Sequence, residues 1–166
     1  MSNRNYIISR EAAAQKLNRM VLELAEDLSG DTTPVIIIGI RNSGMVIAEK
    51  TGALLKEYIS NPIQIISLKL DKEHPTAVEL SEKVDVNDKH ILITDDVTNS
   101  GRTLLYALKP LLDFHPKTIQ TLVLVERMHK LFPVKPDYVG LSIATTLQEH
   151  IQVEVAADEI MGAYII

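Results

Sequence analysis

I-L-I-T-D-D-V-T-N-S-G-R-T, running from Ile91 to Thr103, decides how this chain is read. Ile91, Leu92 and Ile93 form a short apolar run suited to a strand buried on both faces of a parallel sheet. Two adjacent carboxylates, Asp95 and Asp96, come at its end. Val97, Thr98, Asn99, Ser100 and Gly101 then supply small or hydroxylated residues, and Arg102 to Leu112 carries Leu104, Leu105, Leu108, Leu111 and Leu112 at helical spacing. Strand, polar glycine loop and helix in that order make an anion site, because the first N–H groups of a helix lack partners and the dipole there is positive. Thr98, Ser100 and Thr103 add hydroxyl donors. Asp95 and Asp96 would repel an anion they pointed at. They are therefore expected beside it, accepting hydrogen bonds from hydroxyl groups or holding a divalent cation. A ribose carrying a phosphate meets both demands.

Asp-Asp before a glycine turn, taken alone, also fits a solvated loop leading into a capped helix. The full string fits it poorly, since carboxylates, three hydroxyls, Gly101 and a helix start fall in sequence. A Walker B strand likewise ends in acidic residues, but the chain contains no G-x-x-x-x-G-K-[ST], which argues against a P-loop NTPase. A receiver-type phosphorylation domain would place its acidic pair after the first strand and ahead of a separate acceptor Asp, an order absent here.

The 166 residues suit one domain able to bury a core, and 1–166 is read as such. A hydrophobic fraction of 46% and a charged fraction of 23% are those of an ordinary globular protein. With no cysteine there are no disulfides and no thiolate metal sites. Met1 to Arg10 has no apolar leader and no run approaches a membrane span, so a cytoplasmic location is expected. A net charge of −5 gives nonspecific nucleic-acid binding no support, though a local basic face stays compatible with it.

Around the central string, Tyr6 to Ile8 is a short apolar run, and Ser9 is placed to cap a helix with the stripe Leu17, Met20, Val21, Leu24 and Leu28, stopping near Gly30. Val35 to Ile40 reads as a buried strand and Met45 to Tyr58 as a helix. Ile63 to Leu70, Thr118 to Val125 and Tyr138 to Ser142 are further strands, with short ones at Ile151 to Val155 and Ala163 to Ile166. Asp71 to Asp88 is polar and aperiodic, and is read as a lid. Strands alternating with helices predict a parallel α/β sheet. Ligands in such sheets bind beyond the carboxyl ends of the strands, where Arg41 to Gly44, Asp95 to Gly101 and Arg127 to Pro133 should converge.

The central string resembles the PRPP-binding motif of the type I phosphoribosyltransferases, an apolar strand followed by D-D-V-x-x-[TS]-G-x-T. G-I-R-N-S-G at Gly39 to Gly44 resembles that family's pyrophosphate loop, and L-V-E-R-M-H-K-L-F-P-V-K-P-D-Y-V-G at Leu124 to Gly140 its later strand and base-side loop. Within the family the likeness is greatest to the pyrimidine operon attenuators that are also uracil phosphoribosyltransferases. The resemblance implies a parallel-sheet α/β fold with helices on both faces. It implies PRPP, a nucleobase and Mg²⁺ as partners, self-association, and Asp95, Asp96 and Arg41 as catalytic residues. Asp95 and Asp96 would hold the ribose and, directly or through water, the metal. Val97, Thr98, Asn99, Ser100, Gly101, Arg102 and Thr103 would bind the rest of PRPP, and Arg41, Asn42, Ser43 and Gly44 the pyrophosphate. Glu126 and Arg127 would face the base, and Lys72 would belong to the lid, although by itself it reads as a solvated surface lysine.

Departures from the family pattern refine this. Purine enzymes place a proton-accepting Asp where this chain has Asn99, and an amide cannot do that work. Their strand-end lysine is Glu126 here, and their aromatic base-stacking segment reads Ala144, Thr145, Thr146 and Leu147. A pyrimidine base such as uracil is therefore expected. The alternative is a PRPP- or nucleotide-sensing regulator that binds RNA with little or no catalysis.

Overall fold

Six consecutive buried residues, Val35–Ile40, form the strand about which the rest is arranged. The computed structural model describes residues 4–166; Met1–Asn3, the start of the stretch read as having no leader, lie outside them. In chain order the elements are β1 (Asn5–Ile8), α1 (Arg10–Asp27), β2 (Val35–Ile40), α2 (Ser43–Leu55), β3 (Ile63–Leu70), β4 (Val78–Leu80), β5 (His90–Thr98), α3 (Arg102–Ala107), β6 (Thr118–Arg127), β7 (Tyr138–Ile143), β8 (Ile151–Ala156) and β9 (Glu159–Ile165). A six-stranded sheet has the order β4-β3-β2-β5-β6-β7, parallel except for the β4 edge, and a three-stranded antiparallel sheet has the order β1-β9-β8.

A parallel sheet must be covered on both faces, and it is. On one face Leu17, Met20, Val21 and Leu24 of α1 and Ile47 and Leu55 of α2 bury Ile37, Leu92, Leu122 and Leu124, with Ile8, Val153, Ile160 and Ala163 of the small sheet joining the same cluster. On the other face Leu104, Ala107 and Leu111 bury Ile36, Ile38, Ile91, Ile93 and Val123. Helices on both faces agree with the expected architecture. Among the described residues no helix is long and apolar enough to cross a membrane.

Local chemistry sets the boundaries. Ser9 caps α1, its Oγ accepting from the Ala12 N–H at 3.1 Å, and Gly30 just beyond the helix has φ +77°. The helix expected at Met45 to Tyr58 instead runs Ser43–Leu55. The stripe from Arg102 to Leu112 does not form one helix: α3 stops at Ala107 and a 3-10 turn, Lys109–Leu111, follows. Pro110 is the reason, since it has no N–H to donate and its ring obstructs the preceding turn. Leu112 is consequently 68% exposed instead of inward-facing. The lid segment 71–88 is not wholly irregular, because β4 pairs antiparallel with the end of β3.

At the amino ends of the central strands lies a satisfied polar cluster. His90 Nε2 is 2.8 Å from Asp31 Oδ2 and its Nδ1 is 2.7 Å from Thr118 Oγ1. Lys117 Nζ donates to the same Asp31 oxygen at 3.0 Å, while the Thr33 N–H donates to Asp31 Oδ1 at 2.8 Å. Thr33, then His90 and Lys117, hold the Asp31 carboxyl far below the usual carboxylate range. A depressed carboxylate contributes stability that is complete above its unfolded pKa, about 3.9, and is lost as pH falls toward the folded value. Asp31→Ala should therefore be less stable than wild type at pH 7, with the gap between their urea midpoints shrinking steadily below about pH 4. A gap of constant size down to pH 3 would contradict this assignment.

Candidate active site

The chain leaves β2 and returns on opposite sides of it, to β3 and then to β5, so the β2–β5 boundary is a topological switch point. Loops following these two strands diverge there and leave a crevice at the carboxyl end of the sheet. Arg41 and Asn42, both exposed and joined by a cis peptide bond, form the first loop. α2 then starts in direct contact with β5. A Cβ on Gly44 would lie 2.7 Å from the Thr94 carbonyl oxygen and 3.1 Å from the Asp95 Cα. Only glycine allows that approach, and the Thr94 hydroxyl seals it by donating to the Gly44 carbonyl at 2.8 Å.

Asp95 and Asp96 do not lie in a loop beyond the strand, as expected, but within it. β5 continues to Thr98 because its ladder with β6 persists through the pairs Asp95 with Val123, Val97 with Val125 and Thr98 with Glu126. Asp95 is 1% exposed. Its Oδ1 accepts from the Asp96 N–H at 2.9 Å and from Lys72 Nζ at 3.2 Å, and its Oδ2 is 3.3 Å from the same ammonium. Asp96 Oδ1 accepts from the Val97 N–H at 2.8 Å and lies 3.7 Å from Lys72 Nζ. Lys72 is thus half-exposed yet paired. It bridges both carboxylates.

Burial pushes the Asp95 carboxyl well above the usual range, and the neighbouring Asp96 charge adds to that; Lys72 opposes both. Burial would lower the Lys72 ammonium, but Asp95 and Asp96 outweigh it and hold it up. The two directions pull differently on one contact. Desolvation governs Asp95, which has almost no water, whereas the ion pair governs Lys72, whose side chain is 47% exposed.

Beyond the pair, Lys72 and the run Val97, Thr98, Asn99, Ser100, Gly101, Arg102 and Thr103 line a cavity of about 230 Å³. Gly101 takes φ +88°, and a Cβ there would lie 3.0 Å from the Val134 carbonyl oxygen. The loop is held from two sides. The Ser100 carbonyl accepts from the N–H groups of both Leu131 and Phe132 at 3.0 Å, and Arg102 Nη2 donates to the Lys72 carbonyl at 2.8 Å. α3 has only six residues, so the cradle consists chiefly of this loop and only secondarily of a helix dipole.

Glu126 and Arg127, expected to face the base, end β6 and are 8% and 7% exposed. They do not pair with each other. Glu126 Oε2 accepts from the Ser142 hydroxyl at 2.8 Å, with Lys130 Nζ 3.9 Å from Oε1. Arg127 donates from Nε to Thr145 Oγ1 at 2.5 Å and from Nη2 to the Thr146 carbonyl at 2.6 Å, and His129 Nε2 is 2.9 Å from the Thr145 carbonyl. Ser142 is a contact the sequence does not point to, whereas Thr145 and Thr146 stand in the segment that corresponds to the family's base-stacking stretch. The available signal was Arg127 itself, a guanidinium at the end of a buried strand that must find acceptors.

No group of three or more His, Cys, Asp or Glu suited to a metal occurs among the described residues. Two adjacent carboxylates fit a magnesium ion that keeps waters and takes its remaining oxygens from a phosphorylated substrate.

A strand-borne acidic pair beside a polar glycine loop at a switch point defines a phosphoribosyltransferase crevice, and the sequence matches the phosphoribosyl transferase domain over residues 7–158. The chain belongs to that family and is a phosphoribosyltransferase, with PRPP and a nucleobase as its substrates. It is 33% identical over 163 residues to the "Bifunctional protein PyrR" of Ligilactobacillus salivarius, which covers 91% of this chain and 90% of that one. It is 27% identical over 179 residues to the protein of the same name from Bacillus subtilis, covering 99% and 98%. Among solved structures it is similar to the hypoxanthine phosphoribosyltransferase of Trypanosoma cruzi, with a TM-score of 0.81 at 15% identity over 97% and 95% of the two chains. A hypoxanthine-guanine phosphoribosyltransferase from Bacillus anthracis gives 0.70 at 20% identity over 86% and 84%. These structures share the fold.

Because Asp95 sits above its ordinary pKa, its ionised form costs stability above the ordinary carboxylate range, and the cost is absent at low pH where both states are protonated. Asp95→Asn should raise Tm at pH 7 by about 2–4 °C for each kcal/mol relieved, with the gain vanishing below about pH 4. Calorimetric scans across pH would show it; an unchanged or lowered Tm at pH 7 would refute the burial argument.

Proposed function

We propose that the enzyme transfers 5-phosphoribosyl from PRPP to uracil with release of pyrophosphate, uses Mg²⁺, and works as a homo-oligomer. The observation that carries the PRPP placement is the juxtaposition of Asp95 and Asp96 with the cavity lined by Val97 to Thr103. That cavity suits a phosphate, and the carboxylates beside it suit ribose hydroxyls. Uracil is supported by Asn99, exposed in the loop, and by Glu126 at the strand end, neither of which supplies what a purine site requires.

In the reaction the C1–O bond of PRPP breaks with its electron pair leaving on pyrophosphate. The base nitrogen forms the new bond to C1, and its proton passes to water or to the departing pyrophosphate. Positive charge grows on the ribose and negative charge on the leaving group. Asp95 and Asp96 orient the ribose hydroxyls and face the growing positive charge. N–H groups and hydroxyls of Thr98 to Thr103 hold the 5-phosphate. Arg41 and the N–H groups of Asn42, Ser43 and Gly44 receive the pyrophosphate. Asp95 and Asp96 would hold a magnesium ion, directly or through water, and that ion would supply neutralisation of the charge on the diphosphate. Glu126 and Arg127 shape the base side through Ser142, Thr145 and Thr146.

A second reading, a PRPP- or nucleotide-sensing regulator that binds RNA, draws on the name "Bifunctional" carried by the relatives. It predicts RNA affinity that falls steeply with salt, and a clean null across a salt series would remove it.

The deciding experiment is a panel of nucleobases with PRPP and Mg²⁺, scored by pyrophosphate release. Uracil should turn over and hypoxanthine should not; PRPP binding without turnover on any base would leave only the regulatory reading. Arg41→Ala should lower kcat with uracil by about 100-fold, the usual loss for removing one donor to a developing anion. A kcat within about threefold of wild type would take Arg41 out of the leaving-group site.

A further inference from the structure

The Lys72 ammonium stands where a cation bound by Asp95 and Asp96 would stand. It is 3.2 Å and 3.3 Å from the two Asp95 oxygens and 3.7 Å from Asp96 Oδ1. The residue is anchored there from its backbone as well, since its carbonyl accepts from Arg102 Nη2 at 2.8 Å, and Lys109 Nζ holds the following stretch through the Thr76 carbonyl at 2.8 Å. The acidic pair is therefore partly compensated by the chain's own side chain. Any small divalent ion arriving alone must expel that ammonium or sit within a few ångströms of it, against a like-charge repulsion that solvent on the exposed side screens only in part.

We infer that Lys72 is an internal counter-ion that keeps free divalent cations off Asp95 and Asp96 and yields only to a metal delivered with a phosphorylated sugar. A PRPP-bound ion brings the replacement for what Lys72 loses: ribose hydroxyls donate to the carboxylates, and the phosphate charge attracts the displaced ammonium, which is half in solvent and free to turn. Lys72 is thereby a positioning residue that sets the order of binding, substrate and metal together. This inference rests on the PRPP reading of the site, but its central claim is measurable without PRPP.

The test is Mn²⁺ binding to the full chain, followed by electron paramagnetic resonance and calorimetry. Without PRPP, Lys72→Met should bind Mn²⁺ at least about tenfold more tightly than wild type, and Lys72→Arg, which keeps the charge, should behave as wild type. Adding Asp95→Asn to Lys72→Met should abolish the gain. Equal Mn²⁺ affinity in wild type and Lys72→Met overturns the inference, as does a gain that survives Asp95→Asn. Adding PRPP to wild type should tighten Mn²⁺ binding at least to the level of Lys72→Met. Failure of wild type to bind PRPP at all would overturn the PRPP reading, together with the delivery step that depends on it. The comparison of Lys72→Met with wild type in Mn²⁺ alone would still decide the counter-ion.

Discussion

A carboxylate with 1% exposure at the end of a central strand must be provided with partners, and the crevice is organised around that need at Asp95. The Asp96 N–H and the Lys72 ammonium supply them. Keeping water out requires α2 to begin almost in contact with β5, which in turn requires glycine at position 44. Keeping the strand straight through its acidic residues requires the β5–β6 ladder to continue past them to Thr98. The loop from Arg41 to Gly44, the acidic pair and the loop from Val97 to Thr103 thus inherit their relative positions from one backbone contact and one ladder.

The two ends of the parallel sheet are used differently. At the amino end, Asp31, His90, Lys117, Thr33 and Thr118 satisfy one another with short hydrogen bonds, and the charge there is compensated. At the carboxyl end, two carboxylates share one half-exposed ammonium. The first arrangement holds strands together. The second keeps unspent electrostatic capacity for a substrate, at a cost in stability that the apolar clusters on both faces of the sheet absorb.

Much of this was legible in the sequence because it rests on local rules. Val35–Ile40 announces a strand buried on both faces, Ser9 announces a helix start, and the order of Asp95, Asp96, Ser100, Gly101 and Thr103 announces a strand, a glycine loop and a helix. The misplaced boundaries have specific causes. Pro110 was outweighed by a leucine stripe that fits a helix on periodicity alone, so α3 was read as nearly twice its length. Asp95 and Asp96 have low strand propensity and were assigned to a loop, whereas pairing with β6 keeps them in register. Lys72 is 23 residues from Asp95 in a segment with no periodicity, and nothing local connects the two. The Ser142, Thr145 and Thr146 contacts are of the same kind, fixed by how β6 and β7 lie side by side.

The Ser100 carbonyl, which accepts the N–H groups of Leu131 and Phe132, ties the loop from Val97 to Thr103 to the segment that follows β6. Remodelling Met128 to Pro133 would therefore move the backbone of the loop from Val97 to Thr103. On the PRPP placement proposed above, base preference and grip on the common donor are inherited together, so drift toward a new acceptor would pass through variants whose hold on PRPP is also altered.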